Sequence, residues 1–130
     1  MRKKQRKVIQ DKGIIYNNVI YTIKEEENTA SVIGSIPKIY EIFIPCSIMH
    51  NAKEYIVTSI SENAFKLSNI QSVQFPSDSK LQIIEKQAFY SSSIKSIKIP
   101  STVEIIGEGS FTCAENFKKL KYQKILNIKP

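Results

Sequence analysis

The stretch SIKSIKIPSTVEIIGEGSF, residues 93–111, decides the fold. Its apolar residues Ile94, Ile97 and Ile99 are separated by three and then two positions, and Pro100 follows directly. An amphipathic helix repeats its apolar positions at three and four, whereas a half-buried strand repeats them at two. The stretch fits neither template alone, so its spacing becomes informative only if it recurs elsewhere in the chain.

The same spacing does recur upstream. A second copy, NIQSVQFPSDSKLQIIEKQAF, lies at residues 69–89, and its strand-like part precedes the first by 24 positions. The segments of the form I-x-x-I-x-I-P are residues 39–45, 70–76 and 94–100. Each of the last two is followed by a piece of the form I-x-x-x-[AS]-F, and the three such pieces are residues 60–65, 84–89 and 106–111. The recurrence predicts a repeat protein.

A repeat of this length cannot bury its own apolar side, and stacking against its neighbours supplies a continuous core. We predict that each I-x-x-I-x-I segment is a short parallel strand with its isoleucines pointing inward. The proline ends the strand because it has no N–H to donate to the next one. The piece containing Ala-Phe reads as a turn or short helix whose phenylalanine fills the core between coils. A second short strand, V-x-x-I, would lie on the opposite wall.

These units resemble the leucine-rich repeats of the BspA-like family, the surface-antigen type found on bacterial and protozoan surface proteins. The resemblance covers residues 39–111 and rests on the two segment types given above. It implies a β-rich (α/β-type) leucine-rich repeat solenoid with short parallel strands, turns or short helices, and an N-terminal β-hairpin cap. It also implies adhesion at the cell surface through binding of host or matrix proteins.

The chain divides into four predicted segments. Residues 1–12 form a basic lead-in, expected to be flexible, and residues 13–38 form the hairpin cap, where Asn17-Asn18 is a hairpin turn because asparagine tolerates positive φ. Residues 39–117 hold the repeats, with SIMHNAKEY at 47–55 as an inserted loop or hairpin. Residues 118–130 form a basic C-terminal tail or a partial repeat.

The net charge of +7 comes from the ends of the chain. Residues 1–7 and residues 118–130 each carry five Lys or Arg, whereas residues 8–117 hold nine Lys and twelve Asp or Glu, a balance of −3. We therefore predict no nucleic-acid partner. No apolar run approaches the length of about 18 residues that a membrane-spanning helix needs, and no signal peptide is recognisable in the sequence as given. The compartment stays open, with the cell surface implied by the resemblance.

Catalytic and metal-binding patterns are missing from the sequence. His50 is the sole histidine, and Cys46 and Cys113 stand far apart in the repeat array. Two distant cysteines and one histidine match no zinc spacing, and no phosphate-binding loop or nucleophile elbow occurs. We predict that the protein is not an enzyme and uses no metal or other cofactor.

Binding is predicted on the concave sheet, at the positions between the inward isoleucines. These positions are Tyr40, Glu41, Phe43, Gln71, Ser72, Gln74, Lys95, Ser96 and Lys98. Tyr40 and Phe43 are the candidate anchors because exposed aromatic residues dominate protein interfaces. The alternative is that the N-terminal hairpin covers both of them.

The predicted face is small. Three strands of four residues present on the order of 200 Å², whereas a standard interface uses roughly 800 Å² per partner. We expect an unidentified protein partner to bind weakly unless binding is multivalent, and the solenoid ends could self-associate. An intracellular interaction scaffold, or a truncated repeat fragment without independent function, are the alternatives to a surface adhesin.

Overall fold

The computed structural model describes residues 13–114 and the strands at 119–121 and 127–128. These residues form β-strands joined by turns and include no helix, so the Ala-Phe pieces are turns. The strands are β1 (Ile14–Tyr16), β2 (Val19–Lys24), β3 (Thr29–Ser35), β4 (Glu41–Phe43), β5 (Ser47–His50), β6 (Lys53–Ile60), β7 (Ser72–Gln74), β8 (Ile83–Ile84), β9 (Ser96–Lys98), β10 (Ile105–Ile106), β11 (Lys119–Lys121) and β12 (Asn127–Ile128). The predicted strand-rich solenoid is confirmed.

The described strands form two open sheets. The four-stranded sheet has the order β11-β9-β7-β4, and all of its pairs are parallel. The eight-stranded sheet has the order β1-β2-β3-β6-β8-β10-β12, with β5 attached to β6. Each coil, meaning one turn of the chain, gives one strand to each sheet, as β7 and β8 do in succession. The prediction that the I-x-x-I-x-I segments are parallel strands is confirmed.

The core lies between the two sheets, and β4, β7 and β9 each place their central residue in it. Ile42, Val73 and Ile97 are register partners on successive strands, and all three are buried. The residues on either side of Ile42 and Ile97 within their strands are exposed. Because a strand alternates its faces every residue, this pattern places the isoleucines inside and the intervening residues outside.

Three phenylalanines form a column along one end of the core. The rings of Phe65, Phe89 and Phe111 stack at centroid separations of 5.3 Å, with neighbouring planes inclined by 12° and 8°. The turns that carry them are also joined by backbone hydrogen bonds, because Phe65 N–H donates to Ala88 O at 2.7 Å and Phe89 N–H donates to Ser110 O at 2.8 Å. The prediction that these phenylalanines fill the core between coils is confirmed.

Two hairpins depart from the solenoid pattern and extend the eight-stranded sheet. Asn17 and Asn18 have φ values of 51° and 72°, and they join β1 to β2 as an antiparallel pair. β3 then pairs antiparallel with β2 and parallel with β6, so this hairpin lies beyond the first coil. The segment at 47–55 is likewise a hairpin, formed by β5 and β6 around Asn51 and Ala52.

The backbone of the C-terminal segment continues both sheets. β11 pairs in parallel with β9, and Leu120 occupies the register position beside Ile97. β12 pairs in parallel with β10. The sequence lacks an I-x-I-P segment here, yet these strands add a further rung to each sheet.

Replacing Tyr21 with phenylalanine is expected to stabilise the protein by about 1 kcal/mol at neutral pH, because an unpaired buried hydroxyl costs about that much. Tyr21 is fully buried, and its hydroxyl has no hydrogen-bond partner among the described residues. Burial, and secondly the nearby Tyr16, raise the pKa of Tyr21. The free energy of unfolding, measured in urea at pH 7, checks this expectation.

The raised pKa of Tyr21 also makes the stability of the folded protein depend on pH. The contribution of its neutral form is fully present below the unfolded-state pKa of about 10 and is lost as the pH rises above that value. We expect the stability of the wild type to fall between pH 9 and pH 11 by more than that of Tyr21→Phe. A Tyr21→Phe variant less stable than the wild type would show that the hydroxyl is paired.

Candidate binding face

The nine predicted residues lie on the outward face of the four-stranded sheet or directly beside it. Eight of them are exposed, and Ser72 is half-buried. Glu41, Ser72 and Ser96 occupy one row of register partners across three strands. Phe43 and Gln74 are partners in the next row, to which Lys98 belongs by its place in β9. The strand pairing therefore brings the predicted residues together on one surface.

Tyr40 and Phe43 remain accessible. Tyr40 keeps 48% of its surface exposed and Phe43 keeps 43%. The hairpin of β1 and β2 belongs to the other sheet, so it does not cover them. The alternative that the hairpin hides these two aromatic side chains is therefore wrong.

Strand β4 lies at one edge of the four-stranded sheet. Tyr40 O accepts hydrogen bonds from Gln71 N–H at 2.7 Å and from Ser72 N–H at 3.2 Å, and Ile44 N–H donates to Gln74 O at 2.9 Å. Because backbone groups alternate direction along a strand, the even-numbered residues of this segment bond to β7. The N–H and C=O groups of Glu41 and Phe43 point the other way, where no strand pairs with β4 among the described residues.

The repeat region matches the family description "BspA type Leucine rich repeat region (6 copies)" over residues 38–129. The chain belongs to this family. The sequence resemblance is thus confirmed, and the match extends beyond the predicted repeats in the C-terminal direction. Among curated proteins, no sequence matches the chain.

Two solved leucine-rich repeat structures share the fold. The pneumococcal vaccine antigen PcpA aligns with a TM-score of 0.64 at 21% identity, covering 88% of this chain and 39% of that one. A leucine-rich repeat protein from Bacteroides capillosus ATCC 29799 aligns with a TM-score of 0.58 at 20% identity, covering 87% of this chain and 99% of that one. The chain thus spans about two fifths of the PcpA structure. At these identities the likeness establishes the fold alone.

The strand pairing adds a part of the face that the sequence analysis did not predict. Residues 119 and 121 are register partners of Ser96 and Lys98, so β11 adds a fourth strand to this BspA-type sheet. The alternation Lys-Leu-Lys in 119–121 was the available signal, since a strand with a polar outer face and an apolar inner face has this pattern. The sequence analysis predicted either a basic tail or a partial repeat for residues 118–130.

The described residues contain no group of three or more His, Cys, Asp or Glu able to hold a metal ion. His50 lies with Glu25 and Asn51 at a cavity of about 530 Å³ between the two hairpins. Cys46 and Cys113 are both free, and Cys113 Sγ lies 4.0 Å from the Tyr90 hydroxyl, a contact that raises the pKa of Tyr90. None of these side chains forms a catalytic arrangement with another within the described part of the chain.

Within the described part of this repeat protein, no helix has the length and apolar character that would let it cross a membrane.

Proposed function

We propose that this chain is a protein-binding module that works at the cell surface, with the outward face of the four-stranded sheet as its interface. The observation that carries the proposal is the pair of exposed aromatic residues, Tyr40 and Phe43, beside rows of polar side chains. Aromatic anchors surrounded by polar groups are typical of protein interfaces. The surface location is supported by the BspA-type family and by the description of its structural neighbour PcpA as a vaccine antigen.

The size of the face limits the affinity of a single contact. Four strands spaced about 4.8 Å apart, each presenting about four residues at 3.3 Å per residue, offer roughly 250 Å². This is about a third of what one partner contributes to a standard interface. We propose that useful affinity arises from many copies acting together, since linked sites gain avidity without new contacts.

A double variant, Tyr40→Ser with Phe43→Ser, is expected to weaken binding to an immobilised panel of extracellular-matrix proteins by about tenfold or more, because buried aromatic anchors dominate interface energies. Both side chains are exposed in the free protein, so the fold is expected to survive. Biolayer interferometry with the protein displayed multivalently on beads gives the measurement.

Leu67→Ser is the matched control, because Leu67 is 69% exposed but lies in a turn outside the four-stranded sheet. We expect it to bind within about twofold of the wild type. Equal losses in the control, or wild-type binding by the double variant, would show that this face does not carry the interaction. Circular dichroism spectra and melting curves confirm that all variants are folded.

A further inference from the structure

We propose that the open edge of β4 takes up an extended, basic strand of a partner protein, which adds to the four-stranded sheet. This proposal rests on the proposed function, since it names the chemistry of the partner and the way it docks beside the same face. Addition of a strand to a sheet edge draws affinity from main-chain hydrogen bonds and specificity from alternate side chains.

The backbone of β4 offers unpaired groups in the required arrangement. The hydrogen bonds of Tyr40 and Ile44 are directed to β7, so the N–H and C=O groups of Glu41 and Phe43 lie on the open side. These are two donors and two acceptors separated by one residue, the spacing at which one further strand would bond. A strand edge of this kind is a template for pairing unless it is blocked, and no strand blocks it within the described residues.

The side chains at this edge select a basic and apolar strand. Glu41 and Phe43 flank Ile42 in β4. Ile42 is buried, whereas the two flanking side chains are exposed on the outward face. Glu41 makes no ion pair with any described residue, and its cross-strand neighbour Ser72 is neutral. A Lys or Arg on the added strand would face the Glu41 carboxylate or the Phe43 ring, where charge pairs and cation–π contacts are favourable. An apolar residue between two basic residues of the added strand would lie beside Ile42, on the side of the sheet that faces the core.

The greater extent of the eight-stranded sheet favours a partner strand over a second copy of the chain as the occupant of the β4 edge. Beyond β6, the eight-stranded sheet continues through β3, β2 and β1, whereas the four-stranded sheet ends at β4. At about 4.8 Å per strand, the hairpin reaches roughly 14 Å further than the β4 edge. If two copies paired through their β4 edges, the projecting hairpins of both copies would have to occupy the same space. A single extended strand meets no such obstruction.

Amide exchange tests the proposal. The probe is the peptide acetyl-TVKVKVT-amide, which copies the basic and apolar alternation of β11, and acetyl-TVEVEVT-amide is the acidic control. Amide-proton exchange with water is followed by nuclear magnetic resonance in the ¹⁵N-labelled full chain. We expect the basic peptide to slow exchange at Glu41 and Phe43 by at least about threefold near saturation, with Ile44 unchanged, because only the open-side amides gain partners. The acidic peptide is expected to have no effect.

A charge reversal provides a matched test at one position. Glu41→Lys keeps the open backbone groups and is expected to transfer the preference to the acidic peptide. Phe43→Pro removes one open-side donor and is expected to abolish the slowing at Glu41, since proline cannot donate. If Phe43→Pro does not fold, the reversal of preference in Glu41→Lys still decides the matter.

Three results would overturn the strand-addition proposal. The first is unchanged exchange at Glu41 and Phe43 with both peptides. The second is a response confined to Ser72, Gln74 and Lys98, which would place binding on the sheet face and leave the proposed function intact. The third is protection of Glu41 and Phe43 in the free protein together with a concentration-dependent mass, which would assign the edge to a second copy.

Discussion

Replacing Phe89 with alanine is expected to lower the free energy of unfolding by about 3–5 kcal/mol, the usual range for truncating a buried phenylalanine. Phe89 is fully buried and stacks on both Phe65 and Phe111, each at 5.3 Å. The truncation removes both ring contacts and leaves a cavity at the centre of the column. Because each coil touches only its neighbours, we expect the loss to separate the coils on either side. Urea unfolding followed by circular dichroism measures the change.

Phe43→Ala is the control for this prediction. Phe43 lies on the outward face with 43% of its surface exposed, so its truncation is expected to change stability by less than about 1 kcal/mol. A Phe89→Ala variant as stable as Phe43→Ala would mean that the phenylalanine column does not hold the coils together.

Gly107→Ala is expected to destabilise the protein by about 2–3 kcal/mol, because it forces a side chain against packed backbone. A Cβ atom at this position would lie 2.5 Å from Lys86 N, 2.7 Å from the carbonyl carbon of Glu85 and 2.8 Å from Lys86 Cα. These are backbone atoms of the preceding coil, so they can move only if the coils separate. The hydrogen bond from Gly107 N–H to Ile84 O at 2.7 Å would be strained in the same movement.

Glu85 offers a matched comparison one coil earlier. It occupies the same place in its repeat, 22 positions before Gly107, and its side chain is half-buried. Glu85→Ala is expected to cost less than about 1 kcal/mol, since the site already accommodates a Cβ. Thermal melting of both variants tests the difference, and equal melting temperatures would show that the coils do not approach closely at Gly107.

Much of the fold follows from the repeat spacing alone. The I-x-x-I-x-I-P segments predicted the parallel strands β4, β7 and β9, and the recurring phenylalanines predicted the core column. These features are encoded by side chains whose spacing matches the backbone period, so the sequence shows them directly. The candidate face is predicted for the same reason, since outward residues alternate with inward ones in each strand.

The turns between the sheets could not be predicted in detail. Asn63, Gln87 and Gly109 occupy equivalent repeat positions with φ values of 63°, 56° and 70°. Glycine and asparagine are the residues that indicate a left-handed backbone position in a sequence. The left-handed conformation of Gln87 could therefore not be predicted. Its conformation is supported by contacts between coils, because Gln87 N–H donates to Glu108 O at 3.0 Å. Such support is a property of the stacked array and not of the local sequence.

The pairing partners of several strands could not be predicted from the sequence either. The hairpin at 13–36 and the strands β11 and β12 join existing sheets through backbone hydrogen bonds, and side-chain spacing does not identify the strand with which each one pairs. The open edge at β4 follows from the difference in extent between the two sheets. It becomes visible only when the whole strand order is known.

We propose that this solenoid binds protein outside the cell, and its exposure on the cells that produce it is the most direct test. An antibody against the chain, applied to intact and permeabilised cells, gives the measurement, with protease treatment of intact cells as a check. We expect labelling of intact cells that protease treatment removes. Labelling that appears only after permeabilisation would contradict the surface role and assign the same binding face to an intracellular partner.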